Sequence, residues 1–237
     1  MGQGIYVGMT GASARTTQLD VISDNLANAQ TPGFKAQKAA FYSFLPPENE
    51  SGDKVYAASA DAGLDLRSGP IQRTNNPLDL APQQGAYFGV VRSDGSVSYT
   101  RNGRVQVDAE GVLTVSGFPL AGDGGGPIVV PPHTVPEIAS DGIVRVNGAQ
   151  VGQVAFYDIP GQLVRVGPSI FDAEDPESVD NINGSLRIGE LEMSNYSPMD
   201  AMIDMVSAQR SFDHAMQAIE TYGHLDEKAI SVGRVRG

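Results

Sequence analysis

The residues best suited to chemistry lie near the C-terminus: Asp213, His214, Glu220 and His224, two carboxylates and two imidazoles of the kind that serve as general acid, general base or metal ligand. Their spacing works against them. His214 and His224 are ten residues apart, which on a straight helix is about three turns, too far to hold one metal ion. A second group, the AGDGGGP run at Ala121 to Pro127, has the glycine content of a phosphate loop. It lacks the Lys-Ser/Thr pair and opens no helix, so it reads as a turn between strands. The acidic run Asp172 to Glu177 lacks the glycine and spaced oxygen ligands of a calcium loop and reads as a solvated loop. The chain contains no cysteine, which excludes thiol catalysis, disulfides and zinc–thiolate sites. Neither Gly-x-Ser-x-Gly, HExxH nor a nucleotide fingerprint occurs. These observations predict no catalytic residue, no metal and no cofactor, hence no enzyme.

Composition narrows the partners. Sixteen basic against 28 acidic residues give a net charge of −12, which disfavours nucleic acid and anionic lipid. A hydrophobic content of 41% in 237 residues is enough for a real core. No apolar run approaches the roughly 20 residues that span a bilayer. The N-terminus lacks the charged start and continuous apolar core of a cleavable secretory signal, so export is expected to follow another route.

The chain opens on an amphipathic helix. Ile5, Met9, Ala12, Leu19, Ile22, Leu26 and Ala29 fall on one narrow stripe, with Thr16 as its polar gap. Gly8 and Gly11 each cost about 1 kcal/mol relative to alanine, so this helix needs a partner. It is expected to end near Gln30, ahead of Thr31-Pro32-Gly33. From Val55 the texture changes to short apolar runs separated by glycine turns. Tyr87 to Val91 and Val97 to Tyr99 flank Asp94-Gly95, read as a tight primed hairpin turn, and the pattern repeats around Gly111 and Asn147-Gly148. Serial hairpins predict antiparallel β structure, a sandwich or a small barrel. Ser197 as N-cap, Pro198 at the first helical position and Asp200 three residues after the cap then start a second helix. Along it Met199, Met202, Val206, Phe212, Met216, Ile219 and Tyr222 hold mostly three- and four-residue spacing. Five of the seven methionines lie between Met193 and Met216, read either as ordinary core or as an adaptable contact surface.

The fold class is therefore α+β: N- and C-terminal helices forming a coiled-coil-like terminal domain, around a central antiparallel β-rich domain. The expected boundaries are 1–45 for the N-terminal helix and arm, 46–190 for the β domain and 191–237 for the long C-terminal helix. A two-helix coil cannot cover its second flank, so the ends are expected to pack on other copies or relatives. A head-to-tail contact that does not close becomes a helical filament. Asn25 and Asn28 read either as solvated helix polar residues or as inter-subunit hydrogen bonders.

Three stretches carry a resemblance. NLANAQTPGFK at Asn25 to Lys35, the glycine-aromatic strand with YTR and a G-x-P-L turn within Leu78 to Gly122, and ELEMSN followed by a long helix containing AQRSF at Ala208 to Phe212 resemble the signatures of the flagellar rod and hook proteins. Within that family the short segment after GFK and the TPGFKAQ wording are most similar to proximal rod members, with a distal rod member as the alternative. Pro82 stands where the family usually has an aliphatic strand residue and is expected to end that strand early.

The resemblance implies a structural subunit of the basal-body rod that crosses the periplasm, exported by the flagellar type III apparatus without a cleaved signal. It implies copies of itself and related rod proteins as partners, and torque transmission as the task. Ile5, Met9, Leu19, Ile22, Leu26, Asn25, Asn28, Met202, Val206, Phe212, Met216 and Ile219 are the expected assembly interface. A different class of reading, a non-enzymatic surface binding module dimerised through its helices, predicts a closed dimer instead.

Overall fold

A computed structural model of the chain describes residues 3–44, 56–132 and 134–234; Pro46-Pro47 and the polar, glycine-containing run after it, which read in the sequence as a surface loop, lie outside them. The described residues divide into two units, one drawn from residues 3–27, 37–44, 56–63 and 197–234 and one from residues 28–36, 64–132 and 134–196.

The first unit holds two helices, α1 (Gln3–Ala27) and α2 (Pro198–Arg234), with paired strands Gln37–Phe44 and Tyr56–Leu64. At 1.5 Å per residue the 37 residues of α2 span about 55 Å. It starts as its sequence dictates: the Ser197 hydroxyl accepts the Met199 N–H at 3.2 Å, and Asp200 faces the positive end of the helix. It then runs without a break through Gly223.

The two helices pack on each other along small residues. On α2 the buried and half-buried positions include Ala201, Met205, Ala208, Phe212, Ala215 and Ile219, which alternate in steps of four and three, with Ser211 and Ala218 beside them. On α1 they include Gly8, Ala12, Arg15, Leu19, Ile22 and Leu26, in the same steps, with Ala14 and Asn25 beside them. A Cβ added at Gly8 would lie 2.6 Å from Cγ1 of Ile219, so glycine lets the helices approach there. The packed seam thus differs from the stripes expected of the sequence. Met9 on α1 and Met199, Met202, Val206 and Met216 on α2 remain exposed, since they project from a different part of the helix surface than the buried alanines.

The second unit is β-rich, and its strand pairings are antiparallel. A six-stranded sheet runs in the order Leu163–Arg165, Ile170–Ala173, Val97–Thr100, Tyr87–Val91, Phe156–Asp158, Asp180–Ile182. Alternation along Tyr87–Val91 sends Phe88 and Val90 into a large core with Leu80, Leu113, Leu120 and Phe156. Tyr87 goes to the opposite face, against Tyr99, Leu163 and Phe171. Both faces of the sheet are therefore covered. Two three-stranded sheets and two two-stranded pairs, Leu80–Pro82 with Leu186–Ile188 and Ile71–Arg73 with Glu190–Glu192, complete the unit. The first of these strands does end at Pro82.

The hairpin turns divide into two kinds. Asn147 and Gly148 both have positive φ (51° and 83°), as do Ser116 and Gly117 (53° and 84°), and each pair makes the tight primed turn. Around Asp94-Gly95 only the glycine is left-handed, with its N–H on the Arg92 carbonyl at 3.0 Å, so the expected primed turn there is a longer loop. The Asp94 carboxylate takes the Ser96 N–H at 2.9 Å and thereby supports an ordinary right-handed residue before the glycine. The AGDGGGP run is a turn, closed by the Gly122 N–H on the Gly126 carbonyl at 2.8 Å.

Candidate functional site

Three charged side chains that would each pass for surface residues in the sequence meet inside the second unit. Glu192 lies on the Glu190–Glu192 strand, Arg101 follows the Val97–Thr100 strand, and Lys35 lies on the arm of residues 28–36. None of the three is more than 5% exposed. Lys35 Nζ donates to Glu192 Oε1 at 2.6 Å and to the Arg67 carbonyl at 2.8 Å. Arg101 Nε donates to Glu192 Oε2 at 2.9 Å, its Nη2 reaches the same oxygen, and its Nη1 donates to the Ala86 carbonyl at 2.6 Å. The Gly69 N–H adds a fourth donor, to Glu192 Oε1 at 3.0 Å. Arg101 also lies 5.4 Å from the centre of the Tyr87 ring.

The electrostatics follow from burial. Desolvation pushes the Glu192 carboxyl upward, but Arg101 and Lys35 together outweigh it and hold Glu192 below the usual carboxylate value. Desolvation pulls Lys35 below the usual ammonium value, and its attraction to Glu192 offsets only part of that. With two donors on each oxygen, the Glu192 carboxylate has no free lone pair aimed at a substrate. The arrangement is a clamp and not a reacting group.

The clamp sets the path of the arm. Gly33 donates its N–H to the Glu192 carbonyl at 2.8 Å, with φ at +70°, and a Cβ there would lie 2.2 Å from the Asn102 backbone nitrogen. Only glycine fits both constraints. Phe34 is fully buried under the Arg165 guanidinium at 5.2 Å. Asn195 accepts the Ala36 N–H at 2.9 Å and donates to the Asp65 carbonyl at 2.6 Å.

The residues expected to form an assembly interface fall into different settings. Leu19, Ile22, Leu26, Phe212 and Ile219 are buried or half-buried on the two helices, with Ile219 beside Gly8 of α1, while Met9, Met202, Val206 and Met216 are exposed. The side chain of Ile5 lies outside the described residues. Asn25 is neither solvated nor open to a neighbour: it is 2% exposed, donating to the Gln37 carbonyl at 2.8 Å and accepting the Gln37 N–H at 2.9 Å. Asn28, half-buried, accepts from the Thr31 hydroxyl at 3.4 Å. His214 and His224 are both exposed along α2.

Comparison with known proteins decides what the clamp and the helices belong to. Over 97% of both chains the sequence is 33% identical to the flagellar basal-body rod protein FlgF of Salmonella typhimurium. Identity to FlgF of Escherichia coli is 36% over 93% of this chain and 94% of that one. The chain belongs to the flagellar basal-body rod protein family. Identity to the rod protein FlgG of Bacillus subtilis is 30%, over 99% of this chain and all of that one, so this rod-family chain is FlgF-like. Three family models match: flagella basal body rod protein over residues 5–35, flagellar hook protein FlgE/F/G D1 domain over 84–146, and flagellar basal body rod FlgEFG protein C-terminal over 188–232.

Each match contributes one member of the clamp: Lys35 to the first, Arg101 to the second, Glu192 to the third. Sequence reasoning quoted all three rod-family motifs and missed that GFK, YTR and ELE meet. The available signal was a charge inside each motif, one in GFK, one in YTR and two in ELE, where Glu192 is the buried one.

Proposed function

We propose that the chain is a non-enzymatic structural subunit of the flagellar basal-body rod, of the proximal type, that polymerises with itself and related rod proteins and transmits torque across the periplasm. The observation that carries this reading is the two-sided character of α2. One face packs on α1 through alanines, while Met199, Met202, Ile203 and Val206 stand exposed at half or more of their surface. Packing on α1 therefore leaves an apolar face for a neighbour. The alternation of fours and threes on both helices supports a coiled coil, with the antiparallel pairing that a chain bracketed by helices favours.

In this reading the helices form the assembly domain. Met9, Met202, Val206 and Met216 meet neighbouring subunits, and Leu19, Ile22, Leu26, Phe212 and Ile219 hold the helix pair that presents them. Association with other rod proteins accords with the family. Export through the flagellar type III apparatus, without a cleaved signal, is part of the same proposal, and neither nucleic acid nor lipid has a role in it. Among the described residues no helix is long and apolar enough to cross a membrane.

Hydrogen exchange tests it. Peptides from residues 3–27 and 198–234 should exchange rapidly in the purified monomer and be protected in isolated basal bodies, because glycine-containing helices with one apolar flank uncovered are marginal alone. Strong protection of both ends in a free species that does not polymerise would refute it.

A further inference from the structure

Oxidants find one kind of soft target in this chain. It has no cysteine and no tryptophan but seven methionines, so two-electron oxidation by a peroxide falls on thioether sulfur. Exposure then sorts the methionines. Met9, Met199, Met202 and Met216 are exposed, whereas Met193 and Met205 are half-buried. Among the described methionines Met199 and Met202 are the most open, at 71% and 57%, and they stand one turn apart near the start of α2. Ile203 and Val206, also exposed, extend the same apolar face.

A thioether is nucleophilic at any physiological pH, because the lone pair on its sulfur carries no proton. Its attack on hydrogen peroxide forms a sulfur–oxygen bond and breaks the oxygen–oxygen bond, and the second oxygen leaves as water. Sulfur gives up two electrons and the peroxide takes them. The product sulfoxide is polar, and its oxygen accepts hydrogen bonds where methionine offered apolar surface. None of the four side chains on this face is a donor, so the new oxygens find no partner among them. Water satisfies them in the free chain, whereas a neighbour that buries the face leaves them unpaired. We propose that Met199 and Met202 form an oxidation-sensitive site: peroxide converts them to sulfoxides in the free subunit and so withholds the 199–206 face of α2 from assembly. Enzymatic reduction by a dithiol, which removes the oxygen as water and itself becomes a disulfide, returns the face. The loss of assembly rests on the rod reading above; the oxidation itself does not.

Two measurements test this. The purified full chain is treated with hydrogen peroxide, and sulfoxide at each methionine is followed by peptide mass spectrometry. Met199 and Met202 should oxidise several-fold faster than Met193, which is half-buried in the β-rich unit, and equal rates overturn the site. Cells producing both the unsubstituted chain and a Met199→Leu, Met202→Leu double variant are then pulsed with peroxide while new rods assemble. Leucine keeps the face apolar and cannot form a sulfoxide, and general damage by peroxide strikes both chains alike. Sulfoxide at both positions should accumulate in unassembled subunits and be scarce in basal bodies, a comparison that needs no variant. The pulse should also lower the share of unsubstituted chain in newly built basal bodies. An unchanged share together with equal sulfoxide in the two fractions overturns the block on assembly and leaves the rod reading standing. Absence of the untreated, unsubstituted chain from basal bodies overturns the rod reading and the block with it.

Discussion

Replacing Glu192 by glutamine removes one charge and almost no volume, and leaves Lys35 and Arg101 as two buried cations facing an amide. Removing one partner of a buried ion pair costs about 3–5 kcal/mol, because the remaining charge is left without compensation. Here two are left, each at no more than 5% exposure. In a chain of this size 1 kcal/mol corresponds to roughly 2–4 °C in Tm, so Glu192→Gln should lower Tm by about 6–20 °C. Tyr87, Tyr99 and Tyr157 pack in the smaller core of the β-rich unit, so loss of that packing is read by near-ultraviolet circular dichroism over the background of the tyrosines that the helices carry. The acid limb adds an independent reading. Glu192 is held below its ordinary value of 4.5, so the stability it contributes is complete above about that pH and is lost as pH falls through the lowered value. Glu192→Gln should flatten that loss. Lys35 works in the other direction: between its lowered value and the ordinary 10.5 the unfolded chain holds more protons, and stability rises with pH. A Tm loss under about 3 °C, the scale of an exposed pair, would show that the clamp carries no buried charge and would refute this reasoning.

Gly33→Ala should destabilise by about 1–2 kcal/mol from its left-handed backbone alone, with the overlap against Asn102 added, read by chemical denaturation. Gly11 and Gly8 should part company: Gly11→Ala meets nothing within 4 Å and should raise helix stability by about 1 kcal/mol, whereas Gly8→Ala must displace Ile219 and should lose that gain, measured as helical ellipticity on heating. Asn25→Ala strips both hydrogen bonds from buried Gln37 backbone groups and should cost about 1–3 kcal/mol by denaturant midpoint. Leu26→Asp or Phe212→Asp places a charge in the helix seam and should stop rod assembly while the tyrosine circular dichroism stays unchanged; normal rods seen by electron microscopy would remove these residues from the proposed core.

Local chemistry was legible in the sequence wherever it is self-contained. The cap at Ser197 lies within two residues of the N–H it binds, and Asn147-Gly148 carries its own turn preference. The Asp94-Gly95 turn was misread because the dipeptide fits two loop lengths and only the strand register selects one. The α2 seam was hidden for a different reason. Alanine adds little to a hydrophobic pattern, so Met202 and Val206 outweighed Ala201 and Ala208, although close helix approach depends on small residues. Asn25 looked solvated because its partner, the Gln37 backbone, has no side-chain signature. The clamp was hidden because charge in a sequence reads as surface, and burial of a charge depends on partners far along the chain.

That distance has a consequence for the order of events in folding. Lys35 and Glu192 are 157 residues apart and Arg101 and Glu192 are 91, so closing the clamp is a long-range step. Loop closure of this kind is entropically expensive and slow compared with hairpin formation. Until Glu192 arrives, Lys35 and Arg101 are like charges competing for the same dry interior. A chain that lacks its 190–195 segment therefore cannot fix its arm. The clamp makes completion of the β-rich unit conditional on its last strand, so the earliest and latest segments of that unit become ordered together.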